Sequence, residues 1–259
     1  MDRNSLIKKY ARSDEEKLLL SHVCDLADRA QTQWRCVCTE FLTPAEQVFL
    51  ERVTEIRREV EVMFWGGYDG AERRIMVLYP DEYSKPDLLD IPVDILEIKT
   101  RGGGITHRDI LGSLMGLQIQ RNRIGDILDK HTPPLFMCHR DVSIFVMQNL
   151  EKIGRNGVEI AYGEIRALPE QEYDEHTVTV ASVRLDSVVG EAFGISRTKA
   201  ADKIRSGAVQ VNWETADNTA MELKEGDSIS LRGSGKAVLS EIGGTSKKGR
   251  VFLKIRVLK

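Results

Sequence analysis

An alternation of strand-like and helix-like segments between residues 94 and 165 constrains the fold more than any other feature of this chain. Short apolar runs alternate there with segments of helical periodicity. In chain order they are DILEIKT (94–100), HRDILGSLMG (107–116), RIGDILD (123–129), PLFMCH (134–139), RDVSIFVMQNL (140–150) and VEIAYGEI (158–165). The order βαββαβ is that of the split βαβ, or ferredoxin-like, arrangement. We therefore predict an α+β protein with a ferredoxin-like central domain.

The tripeptide His-Arg-Asp occurs twice, at 107–109 and at 139–141, where the two central helices are predicted to begin. An acidic residue in the first turn interacts favourably with the helix dipole, so we interpret the triplets as corresponding helix starts in two half-repeats. A protein-kinase catalytic loop opens with the same letters but needs Asn five residues after its Asp. Leu114 and Val146 occupy those positions, which excludes a kinase loop.

The first 80 residues predict a separate α/β unit. Residues 14–33 and 44–58 have the pattern of amphipathic helices, and 59–68 and 73–80 are β-type runs that predict a hairpin. The predicted organisation is an N-terminal unit (1–80), a ferredoxin-like domain (81–167), a linker (168–180) and a C-terminal domain (181–259).

Charge is distributed unevenly along the chain. Residues 181–259 hold 14 Lys and Arg against 9 Asp and Glu, a net charge of +5, whereas residues 1–180 hold 23 against 31, a net of −8. A basic domain on an acidic body is typical of nucleic-acid binding, although a solvated basic face without a partner is also common.

The general composition favours a cytoplasmic protein. The chain is 41% hydrophobic and 30% charged, and no run of about 18 apolar residues predicts a membrane span. The four cysteines are too few and too irregular for a disulfide framework or a zinc site, so we expect reduced thiols. No metal, cofactor or small-molecule substrate is predicted.

The C-terminal domain offers a cluster of cations on one predicted helix. Apolar stripes predict two short helices; Ser196 can cap the second and Gly207 can end it. That pattern leaves four cations without a core role: Arg197, Lys199, Lys203 and Arg205. Beside a helix N-terminus they could bind phosphates, whereas a merely solvated helix face is the alternative. Arg232 and Lys236, which flank a glycine-containing turn further on, are two further candidate RNA-binding residues.

The same segment resembles the S-four domain, a small RNA-binding motif named for a ribosomal protein. The resemblance is carried by RLD (184–186), SR-x-x-A-x-x-x-I-x-x-G-x-V-x-VN (196–212) and EGD-x-I-x-LRG (225–233). It implies an RNA-contacting surface on Arg184, Ser196, Arg197, Lys199, Lys203, Arg205, Gly207 and Asn212. Trp213 departs from the motif, because many such domains have glycine there; it can pack on the following loop or offer a face for base stacking.

Over its whole length the chain resembles the bacterial YlmH-type family, through GGYDGAERR (66–74), ITHRDILGSLMGLQIQRNRIGDI (105–127) and the C-terminal module. The resemblance implies a non-enzymatic protein that binds rRNA and tRNA on the large ribosomal subunit, in ribosome-associated quality control. It also implies a second RNA-binding domain in the central region. The candidate second surface there comprises Arg108, Arg121, Arg123 and Arg140.

Two other function classes remain open at this point. The first is an RNA-modifying enzyme, since S-four domains often precede pseudouridine synthase or methyltransferase domains and RLD at 184–186 is similar to a synthase motif. No Thr-Ser-Gly follows it and no catalytic domain comes after it, so we expect Asp186 to be structural. The second is a protein-interaction scaffold that docks through the first 80 residues, whose charge is nearly balanced at 12 bases against 14 acids.

Overall fold

The computed structural model describes residues 2–100, 102–165 and 173–258 of the chain. They fall into two compact units that divide between residues 169 and 170.

The N-terminal part of the first unit is a three-stranded antiparallel sheet with helices. Its helices are α1 (Arg3–Tyr10), α2 (Asp14–Gln33), α3 (Pro44–Glu51) and α4 (Ile56–Glu59); its strands are β1 (Val37–Leu42), β2 (Glu61–Trp65) and β3 (Arg74–Tyr79), in the order β1-β3-β2. The predicted helix over 14–33 and the predicted β2–β3 hairpin are confirmed. The predicted helix over 44–58 is interrupted at Val53 and Thr54, whose β-branched side chains lower helix propensity. Helix α1 and strand β1 were not predicted from the sequence.

The central part has the predicted ferredoxin-like arrangement. Its elements are β4 (Val93–Thr100), α5 (His107–Gly116), β5 (Ile124–Leu128), β6 (Leu135–His139), α6 (Arg140–Asn149), β7 (Lys152–Ile153) and β8 (Asn156–Tyr162). The sheet order is β5-β6-β4-β8-β7 with antiparallel neighbours, and the short β7 is an addition to the four predicted strands. Ile110 and Leu114 of α5 and Val146 of α6 pack with Leu96 and Ile98 of β4 in one apolar core.

Both His-Arg-Asp triplets lie at helix starts, as predicted, but one residue out of step. The first triplet fills the first three positions of α5; Thr106 is the N-cap, and Asp109 completes a capping box with it. In α6 the triplet begins one position earlier, since His139 is itself the N-cap. The expectation of corresponding positions is therefore wrong by one residue, because only the first helix has a threonine cap ahead of its histidine.

The N-terminal sheet and the central sheet share a core. Phe41, Ile75 and Val77 of the first pack against Met137 of the second and against Ile91, which precedes β4. The two regions predicted as separate domains therefore form one compact unit.

The loop between β2 and β3, residues 66–73, holds the N-terminal and central parts together through hydrogen bonds to β5. The Asp126 carboxylate of β5 accepts three hydrogen bonds from the loop: from the Tyr68 hydroxyl (2.8 Å), the Glu72 backbone N–H (2.7 Å) and the Arg73 backbone N–H (2.9 Å). Burial and the neighbouring Asp126 carboxylate raise the pKa of Tyr68, so the phenol stays protonated and donates. The GGYDGAERR motif thus has an architectural role.

The second unit is a six-stranded sheet with two helices. Its elements are β9 (Tyr173–Val180), α7 (Leu185–Ala192), α8 (Arg197–Arg205), β10 (Val209–Val211), β11 (Glu214–Thr215), β12 (Ser228–Leu231), β13 (Gly235–Thr245) and β14 (Val251–Leu258). The sheet order is β11-β10-β12-β13-β14-β9, with antiparallel neighbours. Leu185, Val188 and Val189 of α7 and Ala200 and Ile204 of α8 are buried in its core, as their spacing predicts.

The predicted linker over 168–180 is wrong for its second half. Residues 173–180 are β9, which pairs with β14 from Tyr173 to Val180. Asp174 and Glu175 lie on the exposed half of this edge strand, while Val178 and Val180 turn toward the core. Residues 168–172 lie outside the described part of the chain.

Candidate nucleic-acid interface

Helix α8 presents two unpaired cations on its exposed side. The Ser196 hydroxyl caps the helix by accepting a hydrogen bond from the Lys199 N–H (3.3 Å), and Ala200 and Ile204 anchor its inner side. Lys199 and Lys203, one turn apart, are exposed. Neither ammonium group has a hydrogen-bonding or ionic partner among the residues that the structure describes. Both side chains are therefore available to an anion.

The end of α8 brings a third cation to the same region. Gly207 follows the helix with a φ of 69°, and its positive φ lets the Ala208 N–H return to the Lys203 carbonyl (3.0 Å). The Arg232 backbone N–H then donates to the Ala208 carbonyl (2.9 Å), so Arg232 lies beside the end of the helix, exposed. The contribution of Gly207 is therefore its backbone conformation, which brings Arg232 to the end of α8.

Arg205 also belongs to this exposed surface. Its guanidinium lies 3.4 Å from the Asp202 carboxylate, with the two side chains 65% and 69% exposed. Solvated pairs of this kind contribute about 0–1 kcal/mol. A phosphate could therefore compete for Arg205.

Arg197 has a structural partner, contrary to the expectation that it lacks a core role. Its Nε donates to the Asp186 carboxylate (3.0 Å), and Arg184 donates to the same carboxylate (3.2 Å). Asp186 is only 5% exposed. Burial alone would raise the pKa of Asp186, but the hydrogen bonds from the two guanidinium groups outweigh it and hold the pKa below its ordinary value. The Asp186 carboxylate is thus ionised, and its hydrogen bonds link the start of α7 to the start of α8.

Asn212, Trp213 and Lys236 are occupied by contacts within the unit. The Asn212 side chain donates to Asp227 (2.8 Å) and accepts from the Ser228 N–H (2.9 Å). Asn212 and Trp213 both have positive φ in the turn between β10 and β11, a conformation for which glycine is favoured at the second position. Lys236 lies over the Trp213 ring, 5.0 Å from its centre. Lys236 therefore covers one face of the Trp213 ring.

The candidate second surface in the central part is mostly engaged inside the fold. Arg121 donates to the carbonyls of Ile124 and Gly125, and burial, with some help from the nearby Arg73 cation, lowers the pKa of Arg121 to about 10.

The remaining members of that surface differ in their contacts. Arg123 pairs with Asp141 (2.9 Å), and Arg140 donates to Asp94 (3.1 Å) and to the carbonyls of Leu89 and Ile91. Arg108 is exposed and has no partner among the described residues. Of these four arginines, Arg108 is thus the one most open to RNA.

The net charge of the C-terminal unit is smaller than the sequence analysis suggested. Residues 170–180 add four acidic residues and no Lys or Arg, so residues 170–259 hold 14 bases against 13 acids. Part of this acidity is on β9, where Glu175 pairs with Arg256 (2.9 Å). The case for anion binding therefore depends on where the unpaired cations lie and not on the total charge.

Families of known proteins match three successive regions of the chain. Three family models match: "YlmH, N-terminal" over residues 15–83, "Putative RNA-binding domain in YlmH" over 86–167, and "S4 domain" over 183–229. The last match confirms the S-four domain that the sequence motifs predict.

A curated relative and a solved structure are similar to this chain. The "Ribosome-associated protein quality control protein P2" of Bacillus subtilis (strain 168) is 32% identical over 248 residues, which cover 94% of this chain and 95% of that protein. The structure of "Cell division protein ylmH from Streptococcus pneumoniae" matches with a TM-score of 0.50 and 23% identity, over 59% of this chain and 93% of that one, and shows the fold alone. Since one relative is similar from end to end and the three domain models match in order, the chain belongs to the YlmH family.

Proposed function

We propose that this protein is a non-enzymatic RNA-binding protein that holds structured rRNA or tRNA through its C-terminal unit, on the large ribosomal subunit, in ribosome-associated quality control. The observation that carries the proposal is the pair of unpartnered lysines, Lys199 and Lys203, on the exposed side of α8 beside Arg232. Both lysines lie in the region matched by the S4 domain model, and the sequence motifs of this region resemble those of an RNA-binding domain. The name of the Bacillus relative, a ribosome-associated quality control protein, supports association with ribosomes.

The test replaces these two lysines. Lys199→Glu with Lys203→Glu should weaken binding by on the order of tenfold or more, because two attractions for phosphate become two repulsions. The fold should persist, since both side chains are exposed and glutamate is a good helix former. Arg197→Glu is unsuitable, because it would place a second carboxylate beside the buried Asp186.

Binding is measured by sedimentation through sucrose gradients with purified large subunits at low salt, after the melting temperature has been shown to be unchanged. The control variant, Lys8→Glu with Lys85→Glu, makes the same charge change at exposed positions of the first unit. The wild type and the control should travel with the subunits, while the α8 variant stays near the top. Equal co-sedimentation of all three proteins would move the contact away from α8.

An enzymatic function has less support. Asp186, the residue of the RLD motif that a pseudouridine synthase would use, is buried and accepts hydrogen bonds from two arginines. It therefore has no path to a substrate base. Incubation with labelled RNA, with and without S-adenosylmethionine, should produce neither pseudouridine nor methylated RNA.

A scaffold function is favoured by one loop. Residues 81–90 carry four acids and one lysine, and they expose Tyr83 (98%) and Leu89 (86%). Exposed apolar side chains among acids suit a protein surface with a basic rim better than they suit RNA. If this loop docks a protein, a pull-down should retain that partner after nuclease treatment, and Tyr83→Ser with Leu89→Ser should lose it.

A further inference from the structure

A groove opens in the C-terminal unit between the turn that joins α7 to α8 and the end of the β9–β14 pair. Its volume is about 410 Å³. The polar side chains that line it are Ser187, Glu191, Arg197 and Arg250. Arg250 belongs to the segment between β13 and β14, beyond the region matched by the S-four model.

The Arg250 guanidinium is held in place without being neutralised. Its Nε donates to the Thr179 hydroxyl (3.1 Å), and a terminal nitrogen donates to the Thr179 carbonyl. Both acceptors are uncharged, and no carboxylate pairs with Arg250 in the described part of the chain. The result is a fixed positive charge on the wall of the groove, of the kind that suits a phosphate.

Two more cations lie on the turn that leads into Arg250. The turn is closed by hydrogen bonds from the Ser246 N–H to the Arg250 carbonyl (2.7 Å) and from the Gly249 N–H to the Ser246 carbonyl (2.9 Å). Lys247 and Lys248 occupy its exposed corner. Neither has a partner among the residues that the structure describes.

Two other cations of the same sheet, on β14, are paired with carboxylates. Lys254 pairs with Glu241 (2.6 Å), and Arg256 pairs with Glu175 (2.9 Å). Along β14 the positive charge is therefore cancelled locally, whereas at the turn and the groove it is not. The unneutralised charge is concentrated at the end of the sheet where β9 meets α7.

We propose that this groove and the adjoining turn form a second contact for the phosphate backbone of RNA, made by Arg250, Lys247 and Lys248 and continuous with the start of α8 through Arg197. The ligand is the sugar-phosphate chain, because the site supplies cations and a hydroxyl and no aromatic side chain lines the groove to stack a base. Glu191 is the one acid among the residues that line the groove. Because its carboxylate repels phosphate, we expect only the few phosphates that the cations contact to bind there. This inference rests on the proposed function.

The test uses the full chain and a fluorescein-labelled RNA stem-loop, with binding measured over a series of salt concentrations. Lys247→Ala with Lys248→Ala should reduce the slope of log affinity against log salt by about 1 to 2, because each phosphate contact contributes about one unit. The matched control, Lys8→Ala with Lys85→Ala, removes the same charge from exposed positions of the first unit and should leave the slope unchanged.

A second measurement does not depend on any variant. Lysine acetylation of the wild type, read by mass spectrometry, should show Lys247 and Lys248 protected when the RNA is present and Lys8 unprotected. Wild-type binding with neither protection nor a change of slope in the turn variant would overturn this inference while leaving the α8 surface intact. A wild type that binds no RNA at low salt would instead overturn the proposed function, and the inference with it.

Discussion

At the scale of single residues, Asp186 links the starts of α7 and α8 by holding two arginines. It is 5% exposed and holds Arg184 at 3.2 Å and Arg197 at 3.0 Å. Breaking such a group on one side leaves the remaining charges without their partner, which costs more than the pair contributes when intact. The motif alone favoured a structural aspartate, but it could not show that Arg197, expected to face RNA freely, is the partner.

We expect Asp186→Asn to lower the free energy of unfolding of the C-terminal unit by about 1–3 kcal/mol at pH 7. Its folded pKa lies below its unfolded value, so its ionisation stabilises the fold above the ordinary aspartate pKa of about 4. That stabilisation is lost as the pH falls through the lower, folded pKa. The difference in stability between wild type and variant should therefore shrink at pH 3.

The measurement is thermal melting at both pH values, with hydrogen exchange of peptides from α7 and α8 to localise the change. Asp202→Asn is the control, because it removes a carboxylate from an exposed pair and should change stability by less than about 0.5 kcal/mol. A variant whose loss of stability is the same at pH 3 and pH 7 would show that Asp186 does not act through its charge.

At the scale of elements, the sequence predicts the helices and strands whose signals lie within their own segment. It does not predict those that depend on pairing with a distant part of the chain. The βαββαβ order, helix α2 and helix α8 follow from apolar periodicity and caps that lie within each segment. Strand β9 does not, because its first half is polar and becomes a strand only by pairing with β14, far along the chain. The engagement of Arg140 depends likewise on the carbonyl groups of Leu89 and Ile91, which only the folded chain brings near.

The edge strand gives a prediction about the independent C-terminal unit. A fragment of residues 181–259 lacks β9 and exposes the whole hydrogen-bonding edge of β14, whereas residues 170–259 retain the pair. Uncovered edges favour association between chains. We expect the shorter fragment to melt at a lower temperature and to aggregate more readily in light scattering than the longer one. Equal melting temperatures and equal scattering would show that β9 is dispensable.

At the scale of the whole molecule, the charge that matters is local. The C-terminal unit carries 14 bases against 13 acids and would barely attract a polyanion if its charge were spread evenly. The unpaired cations are instead gathered on α8, at Arg232 and on the turn at 247–250. The two cations of β14 are paired: Lys254 with Glu241 of β13, and Arg256 with Glu175 of β9.

This distribution predicts how binding responds to salt. If the α8 surface and Arg232 engage about four phosphates, log affinity for structured RNA should fall against log salt with a slope of roughly −3 to −4. Removing acidity from β9 by Asp174→Asn should leave that slope unchanged, because salt dependence counts the phosphates that are neutralised and not the net charge of the protein. The measurement is fluorescence anisotropy with a labelled RNA stem-loop from low to moderate salt. A slope near zero would mean that the cations of α8 do not bind RNA phosphates. A slope that changes markedly in the β9 variant would mean that the net charge of the unit, and not the local cations, governs binding.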